Sequence, residues 1–232
     1  MRLAVAWALL SGAGGVPPDG EVTRYVRVSP SGKAAEAAFT VRRGESGWAI
    51  ESVTTRGRTT LTVTSRYDAA DRLLEASAVL VAGEDRKAAR VSVAEGRATV
   101  AREGLEPQAF DAPAGLIVTS APDWTDTFLL SRRYDRGKGG RQEFQGLWIH
   151  PQQPAQRPTF SAERTGGATV EHAGKRLELD RLAIRLRGGS AYVGWSDAEG
   201  RLLKLVSLPY KEGTADLVLE GFEESTAALR PE

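Results

Sequence analysis

Residues 47–82 read GWAIESVTTRGRTTLTVTSRYDAADRLLEASAVLVA, and this stretch decides the fold. Runs over 47–55, 58–67 and 72–82 are rich in Val, Thr, Ile and aromatics, the residues that suit a pleated, half-buried surface. Arg56-Gly57 and Asp68-Ala69-Ala70-Asp71 separate them with turn chemistry, glycine for positive φ and aspartate for local hydrogen bonds to the backbone. Three short strands in close succession, joined by tight turns, make an antiparallel meander.

The same rhythm continues outward in both directions. Toward the N-terminus lie a strand with Val22, Tyr25, Val26 and Val28, the break Ser29-Pro30-Ser31-Gly32, and a run over 35–42. Toward the C-terminus come runs over 87–94 and 97–102 around Glu95-Gly96, a tight-turn signature. Further runs follow over 141–150, 158–164, 168–172, 175–187, 190–196, 201–208 and 215–223, with Pro151-Gln-Gln-Pro154 as an internal linker. In the 175–187 run the apolar positions change phase between Leu177, Leu179 and Leu182, Ile184, which predicts a β-bulge near Asp180 or Arg181. One segment breaks the period of two. Ser120-Ala121-Pro122-Asp123 has the cap, early proline and acid of a helix start, Trp124 and Phe128 follow at helical spacing, and Gly137, Gly139 and Gly140 end the run. The fold class is therefore mostly β: a curved antiparallel sheet, either an open barrel or a two-sheet meander, with one substantial helix near 121–134.

An internal echo joins the two halves. Asp68-Ala-Ala-Asp71-Arg72-Leu73-Leu74 matches Asp197-Ala-Glu-Gly200-Arg201-Leu202-Leu203, each following an aromatic-containing strand and entering an apolar one. Two related halves, 21–119 and 141–223, would explain it, and so would the turn preferences of Asp and Gly alone. Residues 224–232 read as a tail. At the other end, Arg2, the apolar run 3–10 and the small residues Ser11-Gly12-Ala13 form a signal-peptide pattern over 1–13, and 14–20 a linker. The expected location is periplasmic or secreted, in a bacterial envelope, and no segment reaches the roughly 20 apolar residues of a membrane-spanning helix.

Composition narrows the chemistry. Lys and Arg number 31 against 30 Asp and Glu, a net charge of +1, so no overall field favours nucleic acid. With 0 cysteines, thiolate metal sites and cysteine nucleophiles are excluded. His150 and His172 carry no ligand-spaced partners, so no metal or cofactor is expected. No G-x-S-x-G elbow exists, and Arg136-Gly137-Lys138-Gly139-Gly140 lies after the helix rather than before one, the wrong end for a phosphate cradle. No catalytic residue is assigned, and the chain is read as a non-enzyme.

Two sets of residues remain. Trp124, Phe128, Tyr134, Trp148 and Trp195 are either core anchors or the lining of an apolar cavity between sheet and helix. Arg132, Arg133 and Arg136, with Lys138 and Arg141 nearby, are either a solvated face or the receiver of an anionic headgroup or acidic partner.

Trp195-Ser-Asp197-Ala-Glu-Gly200-Arg201-Leu-Leu-Lys204 resembles the hairpin of the outer-membrane lipoprotein carrier superfamily, and of exported bacterial β-rich domains of unknown function. The resemblance implies a strongly curved sheet wrapped around helix, with an apolar interior that accepts acyl chains. The chain departs from the carriers in its greater length, its single predicted helix and its strands at the N-terminal end, so no functional residue carries over. The leading reading is an exported binding or carrier-like domain for an apolar small molecule, lipid or acyl chain. Two alternatives stand beside it: a structural or protein-interaction module of the cell envelope with an envelope protein as partner, and a hydrolase whose site has no sequence signature.

Overall fold

The computed structural model describes residues 22–120, 124–211 and 213–231. The leader and linker expected over 1–20, and the helix-start residues 121–123, lie outside them.

The first half is a continuous meander: β1 (Val22–Ser29), β2 (Gly32–Gly44), β3 (Gly47–Arg56), β4 (Thr59–Asp68), β5 (Leu73–Ala82), β6 (Asp85–Ala94), β7 (Arg97–Arg102) and β8 (Leu105–Asp111). After β9 (Ile117–Thr119) and α1 (Thr125–Arg133) the second half adds β10 (Arg141–His150), β11 (Gln153–Gln156), β12 (Thr159–His172) and β13 (Lys175–Arg185). It closes with β14 (Ala191–Ser196), β15 (Leu202–Leu208) and β16 (Asp216–Leu219). All belong to one 16-stranded sheet in the order β11-β10-β12-β13-β14-β15-β16-β1-β2-β3-β4-β5-β6-β7-β8, with β9 parallel to β10 off that path. The sheet is mixed and not closed. One wrapped sheet, rather than two packed ones, is the arrangement adopted. The halves meet at β1 and β16, where Tyr25 pairs with Leu219, and the Tyr25 hydroxyl donates across β16 to the Leu202 carbonyl at 2.8 Å.

Alternation sets the inner face. Trp48, Ile50, Ser52 and Thr54 of β3 are buried, as are their partners Tyr67, Ser65, Val63 and Leu61 of β4. Against this face sits α1, and all nine of its residues are buried. Phe128 stacks on Phe39 at 4.6 Å, and Phe39 meets Tyr25 edge-on at 5.7 Å. A helix buried on every side fills the concavity, so the interior is packed core.

The two echoing turns have one geometry. Asp68 Oδ1 accepts the Arg72 N–H at 2.9 Å and its Oδ2 the Arg72 Nε at 2.8 Å; the Asp197 carboxylate takes the same two donors of Arg201 at 2.8 and 2.8 Å. Three residues after each aspartate the chain turns left-handed, at Asp71 (φ 58°) and Gly200 (φ 78°). Both turns grip the end of α1. Asp71 accepts from Arg133 at 2.7 Å, whereas Gly200 lies so close that a Cβ would come within 2.9 Å of the Arg132 Cα and the Ser131 oxygen.

Three sequence expectations change. The extra residue predicted near Asp180 or Arg181 lies on the partner strand: β12 shifts register between Arg164 and Gly166, while β13 runs unbroken against β14. The phase change in β13 arises because its two faces bury different cover, Leu182 and Ile184 toward the interior and Leu179 on the opposite face. The 151–154 linker contributes to β11, paired with β10. The described part of the expected tail, 224–231, packs back on the sheet, with Thr226 fully buried.

Candidate ligand site

A pocket of about 290 Å³ opens beside Trp124, next to the first turn of α1. Its walls come from both halves of the chain: Arg27, Glu36 and Arg56 from β1, β2 and β3, and Tyr192, Leu205, Ser207 and Leu217 from β14, β15 and β16. The register brings these together, since Arg27 pairs with Leu217, Leu217 with Leu205, and Ser207 with Tyr192.

Glu36 is the residue whose position needs explaining. Tyr25 pairs with Ala37 and Val26 with Ala35, so Glu36 has no opposite residue and forms a bulge. A bulge re-aims a side chain, and here it leaves a glutamate 5% exposed beside the inward-facing Ala37. The buried carboxylate is met by two cations. Arg27 Nη2 donates to Glu36 Oε1 at 2.8 Å and Arg56 Nε donates to the same oxygen at 2.7 Å. Both arginine side chains remain partly exposed, at 41% and 43%.

The aromatic side of the pocket is built on α1 and β14. The Arg56 guanidinium lies 6.0 Å from the Trp124 ring centre, and Tyr192 meets that ring edge-on at 5.9 Å. Trp124 Nε1 is buried and has no hydrogen-bond partner among the described residues. Burial raises the Tyr192 hydroxyl pKa, and the nearby Asp126 carboxylate raises it further, so Tyr192 stays a neutral donor.

The other sequence candidates are placed elsewhere. Phe128, Tyr134, Trp148 and Trp195 are closed into the core at 1%, 2%, 4% and 2% exposure. Tyr134 donates to the Gly140 carbonyl at 2.9 Å, and Trp148 stacks on His150 at 5.6 Å. The three arginines offered as an anionic contact turn inward instead. Arg132 is buried over the Phe128 ring at 4.9 Å; Arg133 donates to Asp71 and, at 2.8 Å, to the Gly115 carbonyl. Arg136 joins Asp180 at 2.6 Å, Ser196 at 3.0 Å and the Asp197 carbonyl at 2.8 Å. The physical reason is that the end of α1 runs into the sheet, so its basic last turn meets turn carboxylates and carbonyls rather than solvent. A broader depression of about 490 Å³ borders Arg136 and Arg164, but both arginines there converge on Asp180.

Among the described residues no group of three His, Cys, Asp or Glu could hold a metal. His150 Nδ1 accepts the Gln152 N–H at 3.1 Å, and His172 bonds Ser225 at 2.9 Å while stacking on Phe222, so each histidine has a structural partner. Sequence reasoning reached Trp124 but missed Arg27, Glu36 and Arg56. The available signal was a lone acid among alanines at 34–38, uninformative until the bulge set its direction.

No protein-family profile matches the chain, and no curated protein does. Among solved structures, it is similar to a DUF1089 family protein from Pseudomonas aeruginosa, at 16% identity over 88% of this chain and 95% of that one, with a TM-score of 0.45. It is also similar to a beta-barrel-like protein of the domain of unknown function DUF1849 from Brucella abortus, at 8% identity over 85% and 93%, with a TM-score of 0.49. Neither finding connects the chain to the lipoprotein carriers.

Proposed function

We propose that this chain is an exported, non-catalytic binding domain that holds a small ligand in the pocket beside Trp124. The observation that carries the reading is a buried glutamate, turned inward by a bulge, that gathers two half-exposed arginines next to an indole N–H with no described partner. Burying a carboxylate and leaving a donor unpaired both cost stability, and such costs concentrate at sites that bind something. The filled interior argues against an acyl chain threaded through the sheet. At about 290 Å³ the pocket is at the small end of ligand sites, which favours a short ligand or one partly covered. Export is supported by the leader pattern over 1–13.

Native mass spectrometry of the full chain, produced with its own leader in a bacterial envelope, tests this reading. The expected result is a discrete small-molecule adduct, lost on denaturation and absent from Trp124→Ala, on a polypeptide shortened near Ala13. A bare polypeptide mass in both proteins removes the binding reading, and an uncut N-terminus removes the export reading.

A further inference from the structure

Charged donors outnumber charged acceptors in the pocket wall, and this defines what it can recognise. Arg27 and Arg56 each carry five N–H groups in a rigid fork, and each gives one nitrogen to Glu36. Trp124 Nε1 is a donor only, and the Tyr192 hydroxyl, which shares a hydrogen bond with Ser190, can donate as well. Against these stands one carboxylate in the lining, Glu36, whose Oε1 already receives both guanidinium groups. A ligand of many hydroxyls needs acceptors as well as donors from its site and is poorly matched. An acceptor-only group is well matched.

Charge points the same way. Among the lining residues two guanidinium groups face one carboxylate, a surplus of one positive charge on side chains still 41% and 43% exposed. The Asp126 carboxylate near Tyr192 accepts from the Thr119 hydroxyl and the Thr127 N–H. Glu36 also does geometric work. By anchoring both forks on one oxygen it holds two mutually repelling cations side by side, so the cost of bringing them together is met before a ligand arrives. The remaining lining is mostly apolar, Leu205, Ala215, Leu217 and the Trp124 ring, with two hydroxyls, Ser207 and Thr214, the second given to the Lys211 carbonyl. At roughly 30 Å³ per water, the volume is worth about ten waters, room for an acid group and a short body.

Resting on the binding reading above, we propose that the pocket takes a small organic monoanion, a carboxylate with a short apolar body. Arg27 and Arg56 receive the acid group, and Trp124, Leu205 and Leu217 cover the carbon part. The source of such an acid, a free metabolite or a hydrolysed lipid, is immaterial to this recognition. A free inorganic anion is the alternative that the test separates.

The test uses the full chain and three probes, octanoate, 1-octanol and inorganic phosphate. Binding is followed by calorimetry and by the Trp124 indole N–H resonance, assigned with Trp124→Phe. Octanoate is expected to bind and move that resonance, with octanol and phosphate each weaker by about tenfold or more. Arg27→Gln and Arg56→Gln are expected to weaken octanoate by about tenfold each while leaving octanol unchanged, and Arg56→Lys to recover part of the loss. Octanol binding as tightly as octanoate overturns the monoanion assignment and leaves the pocket a ligand site. Phosphate binding as well as octanoate overturns the apolar half of the proposal. Silence of all three probes overturns the proposal entirely, and the native-mass experiment then decides whether the binding reading falls with it.

Discussion

Asp68 and Asp71 sit three residues apart in one turn and are driven in opposite directions. The Arg72 backbone N–H, aided by its guanidinium and the Ala70 N–H, holds Asp68 below the ordinary aspartate value of 3.8. Burial raises Asp71 above it, with the Arg133 guanidinium pulling back incompletely. The stability contributed by Asp68 is therefore present above 3.8 and is lost as pH falls through its lowered value. For Asp71 the sign reverses: the penalty on its charged form is absent below 3.8 and sets in as pH rises through its raised value. Carboxyl carbon NMR on acidification should show Asp71 protonating first and Asp68 last. Simultaneous titration of the two would contradict the burial assigned to Asp71. The same residues explain a difference between the two echoing turns. Gly200 meets the helix backbone with no room for a side chain, whereas Asp71, a residue type that tolerates φ 58°, has a side chain there that partners Arg133.

At the scale of elements, the described C-terminal segment 220–231 behaves as a cover for the outer face of the sheet. Lys204 on β15 is 1% exposed, and its Nζ donates to the Thr226 and Leu229 carbonyls at 3.0 Å each while pairing with Asp216 at 2.8 Å. Phe222 stacks on His172 of β12 at 3.9 Å, which fastens the same segment to a second strand. Replacing Lys204 by Met keeps the volume but strands two carbonyls and a carboxylate. A loss of about 3 kcal/mol is expected, as when one partner of a buried ion pair is removed. Denaturant unfolding measures the loss, and hydrogen exchange locates it. Faster exchange concentrated over 220–231 fits a latch, whereas uniform acceleration through β1 to β8 would mean that Lys204 supports the core instead. α1 makes the complementary point from the inside, where Phe128 stacks on Phe39 of β2.

At the scale of the whole molecule, the sheet ends at β8 and β11 without pairing those edges to each other, and side chains bridge the gap. Gln108 Oε1 accepts the Ala155 N–H at 2.9 Å and an Arg102 N–H, Arg102 reaches the Gln153 carbonyl, and Arg157 the Asp111 carbonyl. Bridges of this kind satisfy edge groups that would otherwise invite another chain. Gln108→Leu is expected to cost about 1–2 kcal/mol, with faster amide exchange confined to β8, β10 and β11. A cooperative loss through β1 and β16 would show instead that the seam holds the molecule closed. The pocket lies away from this seam, where β1 meets β16, so ligand affinity should be unchanged in that variant.

By itself the sequence determined what depends on neighbours along the chain. The strands and hairpin turns of 47–82, the presence and aromatic content of α1, and the likeness of the Asp68 and Asp197 turns follow from alternation, glycine and aspartate chemistry, all local. Trp124 was within reach for the same reason. What only the tertiary structure decided is everything that rests on register between distant strands. The bulge that turns Glu36 inward exists because β1 slips against β2 between Tyr25 and Val26, and its consequence, a pocket walled by Arg27 and Leu217, requires β1 to pair with β16. A one-residue slip reverses which face a side chain occupies. No composition or spacing at 34–38 carries that choice, and the inward turn of Arg132, Arg133 and Arg136 likewise depends on where the sheet places the end of the helix.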